Sequence, residues 1–461
     1  METYELMHKD LAILSLEYDP ASSRIADIIE VFDLGHAPLS VANDRLLRSS
    51  TYDLTQLMNR WLSKRSIPLS RHGIAAALRS ASLYNTRELA IAGLGASLTD
   101  CYWLRPKGGS LTWDDINFYD NDFDFETGLL LAGNQAPDNS SSLSEEMNPS
   151  YTTDGALQKA WRVDRGGARV LVKGGSGVIR QEPFNEEAAS LVYEKALRFG
   201  SYCPYKVDWL DGRAFSSCPA FTSDELEFVC ANDILNSHPL SCGSMRMDDY
   251  VRAAAALEIP GLQKSIETQL IFDFVLGNTD RHTGNFGALR NPDTLKYAGP
   301  APIFDTGLSL LCQVADVPED ITDLYGNPFR PRLKQQLAMC SDFSGVDIEA
   351  LLKVSDGVAE ILSRCPSRYM DEQRLEAVRL FVQTGAETVA WHAEQPRPTS
   401  LGEQMERAEA IGKHQAKLLR ERGGSPYFSA NGFADALGAR PSMRIGLASS
   451  PRTESRTRPS R

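Results

Sequence analysis

The stretch 269 to 310, QLIFDFVLGNTDRHTGNFGALRNPDTLKYAGPAPIFDTGLSL, limits what this chain can become more than any other part of it. Leu270, Ile271, Phe274 and Val275 recur at helical spacing and stop at Gly277, a residue type that ends helices readily. A short polar loop, 278 to 285, then carries Asp280, His282 and Asn285. A second apolar approach, 301 to 304, delivers Asp305 just ahead of Thr306 and Gly307. Three oxygen-bearing side chains thus stand at the ends of apolar elements. Phosphoryl transfer from a nucleotide needs such a set: one carboxylate orients the attacking hydroxyl and takes its proton, while an Asn and a second carboxylate hold magnesium on the phosphates. The plainer reading is a polar loop with an Asx turn, followed by an unrelated D-T-G turn. Both halves, in order and sensibly spaced, favour the first reading, with Asp280 as catalytic base and His282 holding the loop by a backbone hydrogen bond.

The segment before this stretch fits the same chemistry. Ala156 to Val163 and Ala168 to Val172 predict two strands around the turn Asp164 to Gly167. Lys173 ends the second strand, a glycine-rich loop follows from Gly174 to Gly177, and Asn185 to Phe199 has helical periodicity. A strand-end lysine can grip nucleotide phosphates while a helix carboxylate, Glu186 or its neighbour Glu187, orients it. Either feature alone is commonplace; their position about a hundred residues before Asp280 gives them weight. No G-x-x-x-x-G-K-[ST] run exists, which disfavours a P-loop NTPase.

Asp280-Arg281-His282-x-x-Asn285 followed by Asp305-x-Gly307 resembles the catalytic and metal-binding segments of HipA-like kinases, and phosphatidylinositol 3- and 4-kinases share a similar arrangement. T-T-D-G-A-L-Q-K-A-W, residues 152 to 161, resembles the phosphate-covering loop of the HipA-like family, with Gly155 and Lys159 at the matching places. V-L-V-K, ending at Lys173, resembles its nucleotide lysine, and Asn185-Glu186 its helix glutamate. Glu227 to Ala231 falls where that family's hinge meets the adenine ring, with Glu227 and Val229 as the implied contacts. The resemblance covers roughly residues 150 to 390. It implies an α+β, two-lobed protein-kinase-like fold, with a small β-rich lobe, a helical large lobe and an N-terminal accessory domain. It further implies ATP and magnesium (Asn285 and Asp305 as metal ligands), transfer to a Ser or Thr hydroxyl of a protein, and a toxin role with a DNA-binding antitoxin partner. The chain departs from the family at Gly284, where many members carry Lys, and at Phe304-Asp305-Thr306-Gly307, nearer the lipid-kinase form.

The organisation that follows is an accessory domain over 1–132, a linker over 133–150 (GNQAPDNSSSLSEEMNPS), a small lobe over 151–231, a large lobe over 232–394, and a tail over 395–461, helical and then disordered. In the first domain the periodicity predicts helices over Leu54 to Leu62 and Ile74 to Leu89. The basic cluster Arg60, Lys64, Arg65, Arg71 and Arg79 reads as a solvated helix face. The aromatic stretch Ser97 to Phe123 reads as the seam against the neighbouring lobe. Helices are expected over Asp248 to Leu257, Leu262 to Leu276, Ile348 to Ser363, Glu372 to His392 and Gln404 to Arg422.

A net charge of -13 argues against direct nucleic-acid binding and against docking on an anionic membrane. That disfavours the phosphoinositide-type lipid kinase, as the intact Lys173, Asp280, Asn285 and Asp305 set disfavours a non-catalytic ATP-binding regulator. No apolar run is long enough to span a bilayer, and the N-terminus lacks a basic region ahead of an apolar core. Eight cysteines without a C-x-x-C pair predict reduced thiols, so the expected location is cytoplasmic.

Overall fold

The computed structural model describes residues 1–42, 53–71, 74–80, 83–131, 147–155, 157–177, 179–238, 246–313 and 321–422. Most of the expected linker, Ala156 at the head of the first expected strand, and the expected disordered tail after Gly423 lie outside the described residues.

The chain opens with an antiparallel meander, β1 (Glu2–His8), β2 (Leu11–Asp19) and β3 (Arg24–Val31), which the sequence reading above does not contain. Helices α1 (Leu54–Lys64), α2 (Ile74–Ser80) and α3 (Thr86–Ala92) follow, and β4 (Tyr102–Pro106) then returns to β1, giving the order β3-β2-β1-β4. Leu6 lies opposite both Leu14 and Leu104, and these three side chains close against Met58, Trp61 and Leu62 of α1. The single helix expected over Ile74 to Leu89 is two, because Asn85 caps α3 by accepting hydrogen bonds from the N–H groups of Arg87 and Glu88. Short helices α4 (Trp113–Ile116) and α5 (Phe125–Leu131) complete this N-terminal unit.

A second sheet holds β5 (Lys159–Val163), β6 (Arg169–Gly174), β7 (Lys206–Leu210) and β8 (Arg213–Pro219) in the order β5-β6-β8-β7, with α6 (Glu182–Ala196) between β6 and β7 in sequence. Trp103, Trp113 and Phe118 of the N-terminal unit pack with Trp161 of β5 in one buried cluster, so the aromatic stretch is a seam. A third sheet, β11-β10-β9, joins β9 (Glu227–Cys230), β10 (Gly287–Arg290) and β11 (Tyr297–Pro300). All three sheets are antiparallel.

The remaining elements are helical: α7 (Ala231–Asn236), α8 (Met247–Ala256), α9 (Leu262–Leu276), α10 (Leu333–Leu337), α11 (Ile348–Leu351), α12 (Ser355–Ser363), α13 (Glu372–Ala393) and α14 (Leu401–Glu421). They share one large apolar core, to which α6 contributes Phe184, Ala188, Val192 and Tyr193. Every residue of α9 from Ser265 to Leu276 is buried, which makes it the central helix. The result is a mixed α/β architecture. Among the described residues no helix is long and apolar enough to cross a membrane.

Candidate active site

The site begins where α9 ends. Gly277 caps the helix in the left-handed conformation, at φ 66°, and a Cβ there would lie 2.8 Å from Phe381 Cε1. Beyond it, Asn278 donates from Nδ2 to Asp273 Oδ1 at 2.8 Å and accepts the Asp280 N–H at 3.1 Å. The Asx turn of the plainer reading is therefore present, and it is what aims Asp280.

Arg281 is fully buried and organises the loop. Its guanidinium grips Asp273 through Nε and Nη2, both at 2.9 Å, and donates from Nη1 to the carbonyls of Asn285 at 3.0 Å and Phe304 at 2.5 Å. The loop after α9 is thereby fastened to the strand-like approach that ends at Asp305. Sequence reasoning gave Arg281 no role, because its partners sit at no regular spacing from it.

Asp305 occupies a left-handed backbone conformation, φ 56°, which costs an ordinary residue about 1–2 kcal/mol and which Asp tolerates better than most. Its carboxylate meets Lys173 Nζ at 2.5 Å, and the same ammonium meets Glu186 Oε1 at 2.5 Å. The other Glu186 oxygen accepts the Thr306 N–H at 3.0 Å. Asn185, one residue earlier on α6, donates to the carbonyls of Gly307 at 2.7 Å and Ser309 at 2.9 Å. Helix α6, strand β6 and the D-T-G turn are thus locked together. Glu187 faces elsewhere, accepting the Val207 N–H at 2.9 Å and pairing with Arg364. Burial pushes the Asp305 carboxyl up, but the ammonium groups of Lys173 and Lys159 outweigh it and hold the acid well below the usual carboxylate range. Burial works against the Lys173 charge, yet Asp305 and Glu186 together raise it above its ordinary value.

Lys159 lies opposite Lys173 on the neighbouring strand. Its Nζ passes under the loop at Gly155, where φ is 93° and a Cβ would come within 2.6 Å of the amine. Burial draws the Lys159 ammonium down to about 8; Asp305 opposes this, and Lys173 and Arg71 lower it further. Asn285 is buried and spends an amide N–H on the Asp280 carbonyl at 2.9 Å, which leaves Oδ1 as the atom that could meet a cation. Asp280 itself is half-buried. Burial raises its carboxyl, His282 opposes the shift, and Asp305 adds to it. His282 is exposed, and its Nδ1 accepts the Gly284 N–H at 3.1 Å within the loop.

Glu227 and Val229, the expected hinge contacts, line the same cavity as Asn285 and Asp305 but turn their main-chain groups to β10. The Glu227 carboxylate is turned into the N-terminal unit, where Arg290 reaches it at 2.6 Å and His8 at 3.2 Å. Its backbone and that of Val229 face β10, because the next residue in step, Ala231, donates to the Phe286 carbonyl. Phe228 faces the other way, with its N–H on the Thr99 carbonyl at 2.8 Å, and strand alternation puts the Cys230 N–H on that side too. The main-chain groups turned away from β10 in the expected hinge are therefore the Phe228 carbonyl and the Cys230 N–H, one residue on from those implied by the resemblance. A sequence cannot supply this register, which β10 sets.

A cavity of about 530 Å³ brings together Lys159, Asn285 and Asp305 with the apolar Leu171, Val229 and Phe304; Lys173, Glu186 and Asp280 are not among the residues that line it. That size and mixture suit a small molecule with an apolar part and a charged part. A second cavity of about 410 Å³, beside Lys195 and Lys353, holds none of the candidate residues.

No protein-family model and no curated protein matches the chain. Among solved structures it is similar to the Helicobacter pylori proinflammatory kinase CtkA at 18% identity, a match covering 56% of this chain and 94% of that one with a TM-score of 0.37. The likeness is a distant one.

Proposed function

We propose that the chain is an ATP- and magnesium-dependent phosphotransferase that modifies a Ser or Thr hydroxyl of a protein. One observation carries the reading: a buried lysine is shared by a helix glutamate and a left-handed aspartate, and that aspartate lines a cavity together with the 227–230 strand. Lys173 and Lys159 meet phosphate oxygens, Glu186 keeps Lys173 in place, and the Phe228 carbonyl and Cys230 N–H meet the base edge. Among the described residues no three histidine, cysteine, aspartate or glutamate side chains gather as a metal cluster. Asn285 Oδ1 and the Asp305 carboxylate would hold magnesium, which supplies charge neutralisation at the phosphates and draws the rest of its shell from phosphates and water. Asp280 orients the acceptor hydroxyl and takes its proton. A toxin role, restrained by an antitoxin, is the cellular form of this proposal.

The test is incubation of purified protein with magnesium-ATP, once with cell lysate and once with phosphoinositide vesicles, comparing wild type with Asp305→Asn. Label on protein that disappears in the variant supports the reading. Label confined to lipid overturns the protein acceptor, and no transfer in either arm overturns the enzyme.

A further inference from the structure

We infer that Arg71, in the N-terminal unit, is a positioning residue for the phosphate-covering loop, so that the accessory unit forms part of the nucleotide site. The inference rests on the phosphotransferase reading above. Arg71 is 1% exposed and lies in the short connection between α1 and α2, where its N–H bonds the Pro68 carbonyl at 2.9 Å. Its guanidinium reaches across to the loop. Nε and Nη2 donate to the Gly155 carbonyl at 3.0 and 2.8 Å, Nη2 to the Thr153 carbonyl at 2.7 Å, and Nη1 to Thr153 Oγ1 at 2.8 Å.

Among the described residues no carboxylate forms an ion pair with Arg71, an unusual state for a buried cation. Burial accordingly draws its guanidinium down to about 10, with Asp154 only partly opposing. A scaffold contact needs no such charge, whereas a loop that closes over phosphates gains from one. Geometry supports the same role. A trans peptide points its C=O and N–H in opposite directions, so fixing the Thr153 carbonyl on Arg71 turns the Asp154 N–H away from it. Thr153, Asp154 and Gly155 all line the cavity, and Gly155 lies against Lys159 Nζ. Arg71, the loop, Lys159 and Asp305 therefore form one contiguous run of contacts and charges.

The experiment compares binding of magnesium-ATP and of adenosine, which lacks phosphates, to the full chain by calorimetry, alongside amide hydrogen exchange. Arg71→Ala should weaken magnesium-ATP by about tenfold or more, the scale of one lost charge-assisted contact, and leave adenosine within about twofold. Exchange should quicken over 152–159 and stay unchanged in β1 to β4. Arg71→Lys, which keeps the cation but not the fork, should fall between wild type and Arg71→Ala. Equal losses for both ligands, or faster exchange throughout the N-terminal unit, would reduce Arg71 to a folding residue and overturn the inference. So would a magnesium-ATP affinity untouched by either variant. Wild-type protein that binds neither ligand would overturn the phosphotransferase reading, and this inference with it.

Discussion

Replacing Arg281 with Met should damage the protein out of proportion to its size. Arg281 and Asp273 are 0% and 1% exposed, and their two contacts at 2.9 Å form a bidentate pair. With the guanidinium gone, the Asp273 carboxylate stays buried with one neutral side-chain donor among the described residues, Asn278 Nδ2 at 2.8 Å. Breaking one side of such a pair costs about 3–5 kcal/mol, chiefly through the uncompensated charge. At about 2–4 °C per kcal/mol for a sizeable domain, Arg281→Met should lower Tm by about 6–20 °C in calorimetry. Adding Asp273→Asn removes the stranded charge and keeps an acceptor for Asn278, so the double variant should regain most of the loss. Phosphotransfer should not return, because the carbonyls of Asn285 and Phe304 have still lost their common donor. A single-variant cost below about 1 kcal/mol, or a double variant at the sum of two independent losses, would refute the uncompensated-charge argument.

Asp280→Asn should cut phosphotransfer by about 10²–10⁴-fold and leave magnesium-ATP affinity within a few-fold, as steady-state kinetics and calorimetry can check. Because burial raises the Asp280 carboxyl and only its deprotonated form can accept a proton, activity should fall on the acid side at a pH above that of an ordinary carboxylate, and a pH–rate profile reads this directly. Glu186→Gln should impair ATP binding, while Glu187→Gln should alter it by less than about twofold, since the two side chains point about 100° apart on α6. His392 tests the helical core alone. Its Nε2–H donates to the Leu337 carbonyl and its Nδ1 accepts from Arg407, so protonation would set two donors face to face. Burial, and secondarily Arg407, lowers its folded value from 6.5 to about 4. The unfolded chain therefore binds the proton first: this contribution is complete above about pH 6.5 and is lost as pH falls to about 4, roughly 3 kcal/mol in all. His392→Gln should remove that part of the pH dependence of Tm.

Much of the helical core was readable, since its signals are local. Leu262 to Leu276 runs between Gly261 and Gly277 as its periodicity predicts, both glycines having left-handed φ. Ile348 to Ser363 was less faithful: the apolar spacing runs on through the break at Leu352 to Val354, which divides it into α11 and α12. The N-terminal meander leaves little local signal in the sequence, for two reasons. Its tight turns use Lys9 and Ser23 at positive φ where a glycine or asparagine would have signalled them, and β1 completes its pairing only with β4, near residue 104. The basic cluster divides: Arg60, Lys64 and Arg79 are exposed, as a solvated face requires, whereas Arg65 and Arg71 are not. A run of cations looks the same solvated or buried, yet Arg65 is buried on Asp100 and the Gly95 carbonyl, and Arg71 on partners more than eighty residues away.

What the motif supplied was residue identity; what holds those residues in place is a set of polar contacts around Thr306. Its N–H goes to Glu186, which holds Lys173, and its hydroxyl lies 2.9 Å from the Tyr193 hydroxyl and 3.4 Å from Arg281 Nη2, which holds Asp273. Two buried ion pairs thus meet at one residue, immediately after the strained Asp305. Buried ion pairs add little net stability compared with apolar packing, and a large apolar cluster surrounds these. Stability alone would favour leucine or phenylalanine at Lys173, Glu186, Asp273 and Arg281. Their concentration around one left-handed aspartate fits a demand for fixed charge and fixed geometry at that carboxylate, the demand that the proposed phosphotransfer would make.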